Sequence, residues 1–399
     1  MSEGSAGRGV GFDVEKARAE TPGCEGVVHF NNAGSSLMPD VVLRTVIEHL
    51  ELEARIGGYE AAAREDNRVE ATYDSVARLL GCSREEVAIV ENATRAWDMA
   101  FYSFGFQPGD RILTCGAEYA SNYIALLQVA RRTGAVVVVV GDDESGQVSL
   151  GALEQELERG ARIVSLVHVP SQGGLIQPAA EVGRLCRAAG VPLLLDACQS
   201  VGQLPTDVRS LECDILSATG RKFLRGPRGT GFLYVRQGLI EQLEPPFLDL
   251  HAAEWDDAET FSIRSDARRF ENWETSYATK LGLGAAADYA LGWGLEAIAE
   301  RVQGLASSLR ERLAEVPGVE VRDRGIEKCG IVTFTVAGEP ATEVARRLGA
   351  AGVNVSVVPV TYSRLDLGAR GLDAVVRASV HYYNTEAELE RLVDAVRAR

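Results

Sequence analysis

Lysine is scarce in this chain: of 41 lysines and arginines together, only Lys16, Lys222, Lys280 and Lys328 are lysines. Where arginine meets nearly every surface need for a cation, a lysine set among turn residues beside an apolar strand points to a task arginine cannot perform. An amine loses its proton when burial and neighbouring cations lower its pKa, and then attacks a carbonyl, whereas a guanidinium stays charged. Lys222 is so placed, in ATGRKFLRGPRGTGFLYV over 218–235. Read alone it is as readily a solvated loop residue, because isolated motifs are weak.

Other shortages narrow the field. Basic runs are missing and the net charge is −16, which argues against nucleic acid or an anionic membrane surface as a partner. The five histidines show no HxxxH pairing and the seven cysteines (24, 82, 115, 186, 198, 213, 329) no CxxC spacing, so neither a metal centre nor a disulfide framework is expected. No run of about 18 uncharged apolar residues occurs, and the opening MSEGSAGRGVGFDVEK lacks the apolar core of a signal peptide; the expected compartment is the cytoplasm.

What is present is the composition of an ordinary globular protein, 46% hydrophobic and 25% charged, in a chain of 399 residues that suits two domains or one large domain with an appendage. Short apolar runs such as EVAIVENAT, DRILTCG, AVVVVVGD, ARIVSLVHV, VPLLLDA, CDILSAT and GTGFLYV alternate with amphipathic helical stretches such as AAEVGRLCRAAG. That alternation predicts an α/β fold with a mainly parallel sheet covered on both faces. After the irregular acidic stretch 250–275 a long helical region leads to CGIVTFTV, VNVSVVPV and VVRASVHYY, the composition of a smaller α/β unit. The expected division is an arm over 1–26, a large domain over 27–265 and a small C-terminal domain over 266–399.

Ligands of such sheets gather beyond the carboxyl ends of the strands, and three loops there carry chemistry. Asp196 ends VPLLLD, a carboxylate on an otherwise apolar strand, costly to bury without a cation to meet it; a helix-capping aspartate is the plainer alternative. Lys222 follows the end of CDILSAT 26 residues later. An amine for a Schiff base and an aspartate for a pyridinium nitrogen are the two fixed needs of pyridoxal phosphate chemistry. ENATRA, between strand and helix, offers backbone N–H groups and the Thr94 hydroxyl to a phosphate at a helix N-terminus, and Thr219 and Arg221 reach the same anion.

The runs DACQSVGQLPTDV, DILSATGRKFLRGPRGTGFLYV and VRASVHYYNTEAELERLV together resemble the class V aminotransferase fold, the group of cysteine desulfurases, isopenicillin N epimerase-like proteins and ergothioneine-type C–S lyases. The resemblance runs from about residue 27 to the C-terminus in the family's order. It implies a fold type I pyridoxal 5′-phosphate enzyme with a seven-stranded sheet, working as a homodimer on an amino acid. By position, it implies that Lys222 forms the Schiff base and acts as general base, Asp196 pairs with the pyridine nitrogen and Gln199 meets the phenolic oxygen. Ala93 by its backbone, with Thr94, Thr219 and Arg221, would hold the phosphate. Tyr119 stands where desulfurases stack a histidine on the ring, Arg377 matches the arginine that grips the substrate carboxylate, and Asn32 and Ser171 lie where relatives complete that site. Trp273 and Glu274, in RRFENWETSYA, replace a Gly-Thr pair that reaches the partner's phosphate, and Trp273 is a candidate substrate contact.

Desulfurases place a nucleophilic cysteine on a loop before the VRAS strand, and the interval 353–376 contains none. TGRK, EYxxN and IGGYEAA are closer in outline to the ergothioneine-type lyases. The expected reaction is therefore β-elimination from an S-conjugated cysteine or its sulfoxide, giving pyruvate and ammonia, with Tyr362, Arg364 and Asp366 near the distal part of the substrate. An aminotransferase or epimerase is the alternative, and a cysteine desulfurase the less favoured reading.

Overall fold

A computed structural model of the protein describes residues 12–398. Seven strands follow the apolar runs: β1 (Val87–Val90), β2 (Arg111–Cys115), β3 (Val136–Val140), β4 (Ile163–Val167), β5 (Leu193–Asp196), β6 (Ile215–Thr219) and β7 (Gly231–Val235). They form one sheet in the order β3-β2-β4-β5-β6-β7-β1. Pairings from β3 through β6 are parallel, and β7 alone runs against its neighbours. Every residue of β4 to β7 is buried, whereas the edge strand β3 is partly exposed. Unalternating Val, Ile and Leu runs are what a sheet covered on both faces demands, and each buried leucine of β5 contributes about 1.5–3 kcal/mol. The mainly parallel α/β sheet expected from the sequence is the one observed.

This topology places the site. Because β1 to β6 share a direction and β7 opposes them, the carboxyl ends of β1, β2, β4, β5 and β6 meet the amino end of β7 at one edge of the sheet. Chain order reverses between β2 and β4, so the loops leaving those strands part and open a crevice. At that edge β7 begins with Gly231, where an added Cβ would lie 2.5 Å from the carbonyl carbon of Asn92. Glycine is thus required for β7 to pass beneath the ENATRA loop.

A second sheet is antiparallel, with β8 (Val319–Val321), β9 (Ile331–Val336), β10 (Ser356–Pro359) and β11 (Ala374–Ser379) in the order β8-β9-β11-β10. Helices Leu295–Ala314, Ala341–Ala350 and Glu386–Arg397 accompany it, the last opened by a capping box of Thr385 and Glu388. The chain near residue 30 ties into this sheet: Val28–His29 pairs with Val353–Asn354, and the Ser379 amide donates to the Phe30 carbonyl at 2.7 Å. β11 and its Arg377 are thereby anchored to the segment that carries Asn31 and Asn32.

Residues 1–11 of the expected arm lie outside the described residues. From Phe12 onward the arm is packed. Phe12 stacks on Trp293 at 4.8 Å, Val14–Ala19 is helical, and Arg18 pairs with Glu388 at 2.9 Å.

Candidate active site

The helix Ala93–Phe101 starts where β1 ends. Asn92 caps it by accepting from the Arg95 amide at 2.9 Å, and the amides of the first turn have no partner within the helix. β5 delivers Asp196, 6% exposed, to the floor of the crevice. Asp196 Oδ1 accepts from the Cys198 amide at 2.9 Å and Oδ2 from Asn122 Nδ2 at 3.0 Å, so the carboxylate is held at both oxygens. From the end of β6, Thr219, Arg221 and Lys222 enter the same space, while the Thr219 hydroxyl donates to the Thr230 carbonyl at 3.2 Å.

A cleft with about 740 Å³ of empty space results, lined by Ala93, Thr94, Tyr119, Ser171, Asp196 and Gln199, together with Thr219, Arg221 and Lys222. Nine of the residues singled out from the sequence therefore share one wall. Arg377 lies directly behind it, donating from one terminal nitrogen to the Ser171 carbonyl at 3.0 Å, with the other 3.5 Å from Asn31 Oδ1.

Two expected residues stand apart. Asn32 is fully buried, with Nδ2 donating to the Ser379 carbonyl at 2.7 Å and Oδ1 accepting from the Tyr383 hydroxyl. Its amide is occupied in holding 28–32 to β11, and its neighbour Asn31 faces Arg377 instead. Trp273, 55% exposed, lines a separate surface hollow with Glu53, Tyr59, Glu274 and Tyr277. The backbone there is fixed by the Trp273 amide donating to Asp249 Oδ2 at 2.7 Å.

The electrostatics concentrate on two cations. Burial lowers the Lys222 amine below its ordinary value, and Arg221 and Arg377 push the same way against the opposing pull of Cys198 and Asp196. Burial likewise brings Arg377 down to about 10, with Arg221 adding to the effect, yet it remains a cation at neutral pH. Among the described residues no carboxylate pairs with Arg377, and its Nε has no partner. A buried, unpaired guanidinium is expensive unless an anion arrives from outside.

Several residues here escaped the sequence reading. Asn122 and Glu118 were visible only as the letters of EYxxN, and nothing local announced that Asn122 reaches β5. His168, buried after β4, has an unpartnered Nδ1 and is brought down to about 4 by burial. Cys198 lines the cleft, its thiol pushed up by burial and then by Asp196. Arg225, the first arginine after Lys222, is structural. It adopts φ +63° and donates to the Leu37 carbonyl at 2.8 Å and the Tyr382 hydroxyl at 2.6 Å.

Set against pyridoxal 5′-phosphate, the residues fit. The helix N-terminus with Thr94 suits a phosphate, Asp196 suits a protonated ring nitrogen, and the buried Gln199 Oε1 has no partner among the described residues. The profile of the aminotransferase class-V family matches residues 28–392. The chain belongs to that family. Its cofactor is pyridoxal 5′-phosphate and its fold is type I of such enzymes. A protein named probable cysteine desulfurase from Synechocystis sp. is 30% identical over 387 residues, covering 93% of this chain and 90% of the relative. The apo structure of a cysteine desulfurase from Thermococcus onnurineus NA1 superposes with a TM-score of 0.89 at 26% identity, covering 96% of this chain and 97% of that one. A C-DES variant with glycine covalently linked to its pyridoxal phosphate shares the fold, with a TM-score of 0.86 at 22% identity over 96% of this class-V chain and 99% of its own.

These relatives correct one expectation. β-Elimination from an S-conjugated cysteine rested on a few local motifs and on the missing cysteine of 353–376. The similarity that spans nearly the whole chain is to proteins named cysteine desulfurases, and it overturns that reading.

Proposed function

We propose that this enzyme is a pyridoxal phosphate-dependent desulfurase that takes sulfur from L-cysteine and leaves alanine. The observation that carries an amino-acid substrate is Arg377, a buried cation that no carboxylate among the described residues pairs with, at the back of the cleft that holds Lys222. The sulfur chemistry is supported by the named relatives.

When bound, the cofactor supplies an electron sink for the bonds at the substrate's α-carbon. Lys222, its amine depressed by burial, would hold the cofactor and is placed to exchange the proton at that carbon. Asp196, fixed at both oxygens, would hold a proton on the ring nitrogen. Tyr119 would cover the ring, while the Ala93–Thr94 backbone, Thr94, Thr219 and Arg221, which line the same cleft, would hold the phosphate. Gln199 faces the phenolic oxygen, Arg377 takes the substrate carboxylate through paired N–H bonds, and Ser171 orients Arg377 by its carbonyl.

The destination of the sulfur follows from where the thiols are. The loop 353–376 has none, and Cys198, the cysteine that lines the cleft, is kept protonated by burial. The acceptor is therefore a thiol from solution. Its sulfur bonds to the cysteine sulfur as the C–S bond breaks, and its proton goes to the substrate carbon, so that RSH and cysteine become RSSH and alanine. The test is to incubate the holoenzyme with L-cysteine and dithiothreitol and to quantify alanine, sulfide and pyruvate. Alanine in step with sulfide is expected; pyruvate and ammonia without alanine would reject the proposal.

We place the enzyme in the cytoplasm, where its seven free cysteines stay reduced, and no helix among the described residues is long and apolar enough to cross a membrane. Our working assembly is a homodimer, which brings Trp273 and Glu274 toward a partner's site; mass determination in solution tests it.

A further inference from the structure

We infer that Asn122, oriented by Glu118, is a positioning residue that sets the direction of the Asp196 carboxylate; the inference rests on reading Asp196 as the partner of the ring nitrogen. Tyr119 caps the helix Ala120–Thr133, so Glu118 lies just before it and Asn122 in its first turn, four residues apart and stacked. Asn122 Nδ2 donates to Glu118 Oε1 and to Asp196 Oδ2, each at 3.0 Å. Glu118 also accepts from the Tyr119 amide at 2.8 Å, Thr114 Oγ1 at 2.7 Å and Ser165 Oγ at 2.9 Å, so α-helix, β2 and β4 all hold it. Glu118, Asn122, Thr114 and Ser165 are each less than 5% exposed.

The chemistry of the pair leaves one arrangement. The Glu118 and Asp196 oxygens that face Asn122 both act as acceptors, so the amide between them turns its NH₂ to both and its oxygen away. Were Glu118 merely filling space, an apolar side chain would do so without the desolvation cost, and no arginine or lysine among the described residues offsets that cost. Burial, reinforced by Asp196, brings its carboxyl up to about 7, while the donors of Thr114, Asn122 and the Tyr119 amide pull the other way, toward the carboxylate. The amide that Glu118 orients fixes Oδ2 of Asp196, the Cys198 amide fixes Oδ1, and the remaining lone pairs point at the cleft.

The experiment compares holoenzymes carrying Asn122→Ala, Glu118→Gln and Asp196→Asn. For Asn122→Ala the expected result is a kcat lowered about 10- to 100-fold, the scale of a misplaced catalytic group. KM for L-cysteine should stay within about twofold and the visible circular dichroism of the bound cofactor should shift. Glu118→Gln keeps an acceptor oxygen but lets the Asn122 amide turn over, and a smaller change in the same direction is expected. Wild-type kcat and dichroism in both variants would overturn the inference. Should Asn122→Ala not fold, Asn122→Ser takes its place with the same criteria. An impaired Asp196→Asn beside unaffected Asn122 and Glu118 variants defeats this inference alone, whereas a wild-type Asp196→Asn defeats the underlying role of Asp196.

Discussion

Replacing Arg377 with lysine keeps a positive charge at the back of the cleft and removes the fork that binds a carboxylate by two parallel bonds. The guanidinium has five N–H donors. One contact, to the Ser171 carbonyl, is short, the approach to Asn31 is long at 3.5 Å, and Nε has no partner, so a pair of donors remains for substrate. A hydrogen bond to a charged group is worth about 1.5–3 kcal/mol, and each 1.4 kcal/mol is tenfold. Losing one of two such bonds in Arg377→Lys should raise KM for L-cysteine roughly 10- to 100-fold, with kcat little changed because the grip is made before the chemistry. Arg377→Ala removes both bonds and the charge and should cost at least another tenfold, about 1.4 kcal/mol more. Steady-state kinetics on both variants, with cofactor content checked by visible absorbance, reads this directly. A KM that does not move in either variant would refute the reasoning and leave Arg377 as a tie between the Ser171 loop and β11.

Further predictions rest on other parts of the molecule. Lys222→Ala should lose both the visible absorbance of the covalently held cofactor and all turnover; a variant that keeps the two would sink the assignment. Cys198→Ser should retain alanine formation at near wild-type rate if the accepting thiol comes from solution, and a large loss would make Cys198 part of the chemistry. His168 is brought from an ordinary 6.5 down to about 4 by burial, so between those values the unfolded chain binds the extra proton. Stability from this group is complete above pH 6.5 and falls by roughly 3 kcal/mol as the pH drops to 4; His168→Gln should flatten that part of the urea-midpoint profile. Lys280, buried with its Nζ 2.6 Å from the Tyr73 hydroxyl and 3.7 Å from Glu271, is the cation of an internal network, so Lys280→Met should destabilise by roughly 3–5 kcal/mol in urea unfolding. A loss below about 1 kcal/mol would show that His251 and the Ile89 amide suffice for Glu271.

The reading of Asp196 and Lys222 needed no tertiary information. Both sit where a short apolar run stops at a turn, and in a parallel sheet such ends are where loops meet, so type and position along the chain were enough. Gln199 comes three residues after Asp196, and Thr219 and Arg221 stand just before Lys222, so their places at the strand ends were legible for the same reason. Asn31 and Asn32 were not separable, because adjacent residues of an extended segment face opposite ways and only the bridge from Asn31 to Ser379 decides which turns toward Arg377. The reaction was misjudged on a few local motifs and on the missing cysteine of 353–376; elimination and desulfuration break the same Cβ–S bond, so that absence bears on what receives the sulfur and not on how the bond is broken.

Sequence by itself thus determined the alternation of strands and helices, the cofactor and the residues at strand ends, because each depends on local periodicity and on chemistry that few residue types can perform. Tertiary structure alone decided the rest. It brought Arg377 from 155 positions beyond Lys222 to the back of the same cleft, left it without a carboxylate partner among the described residues, and set Asn122 of a helix against Asp196 of a strand. Those contacts join segments far apart in the chain, and their energies arise only once water has been excluded between them.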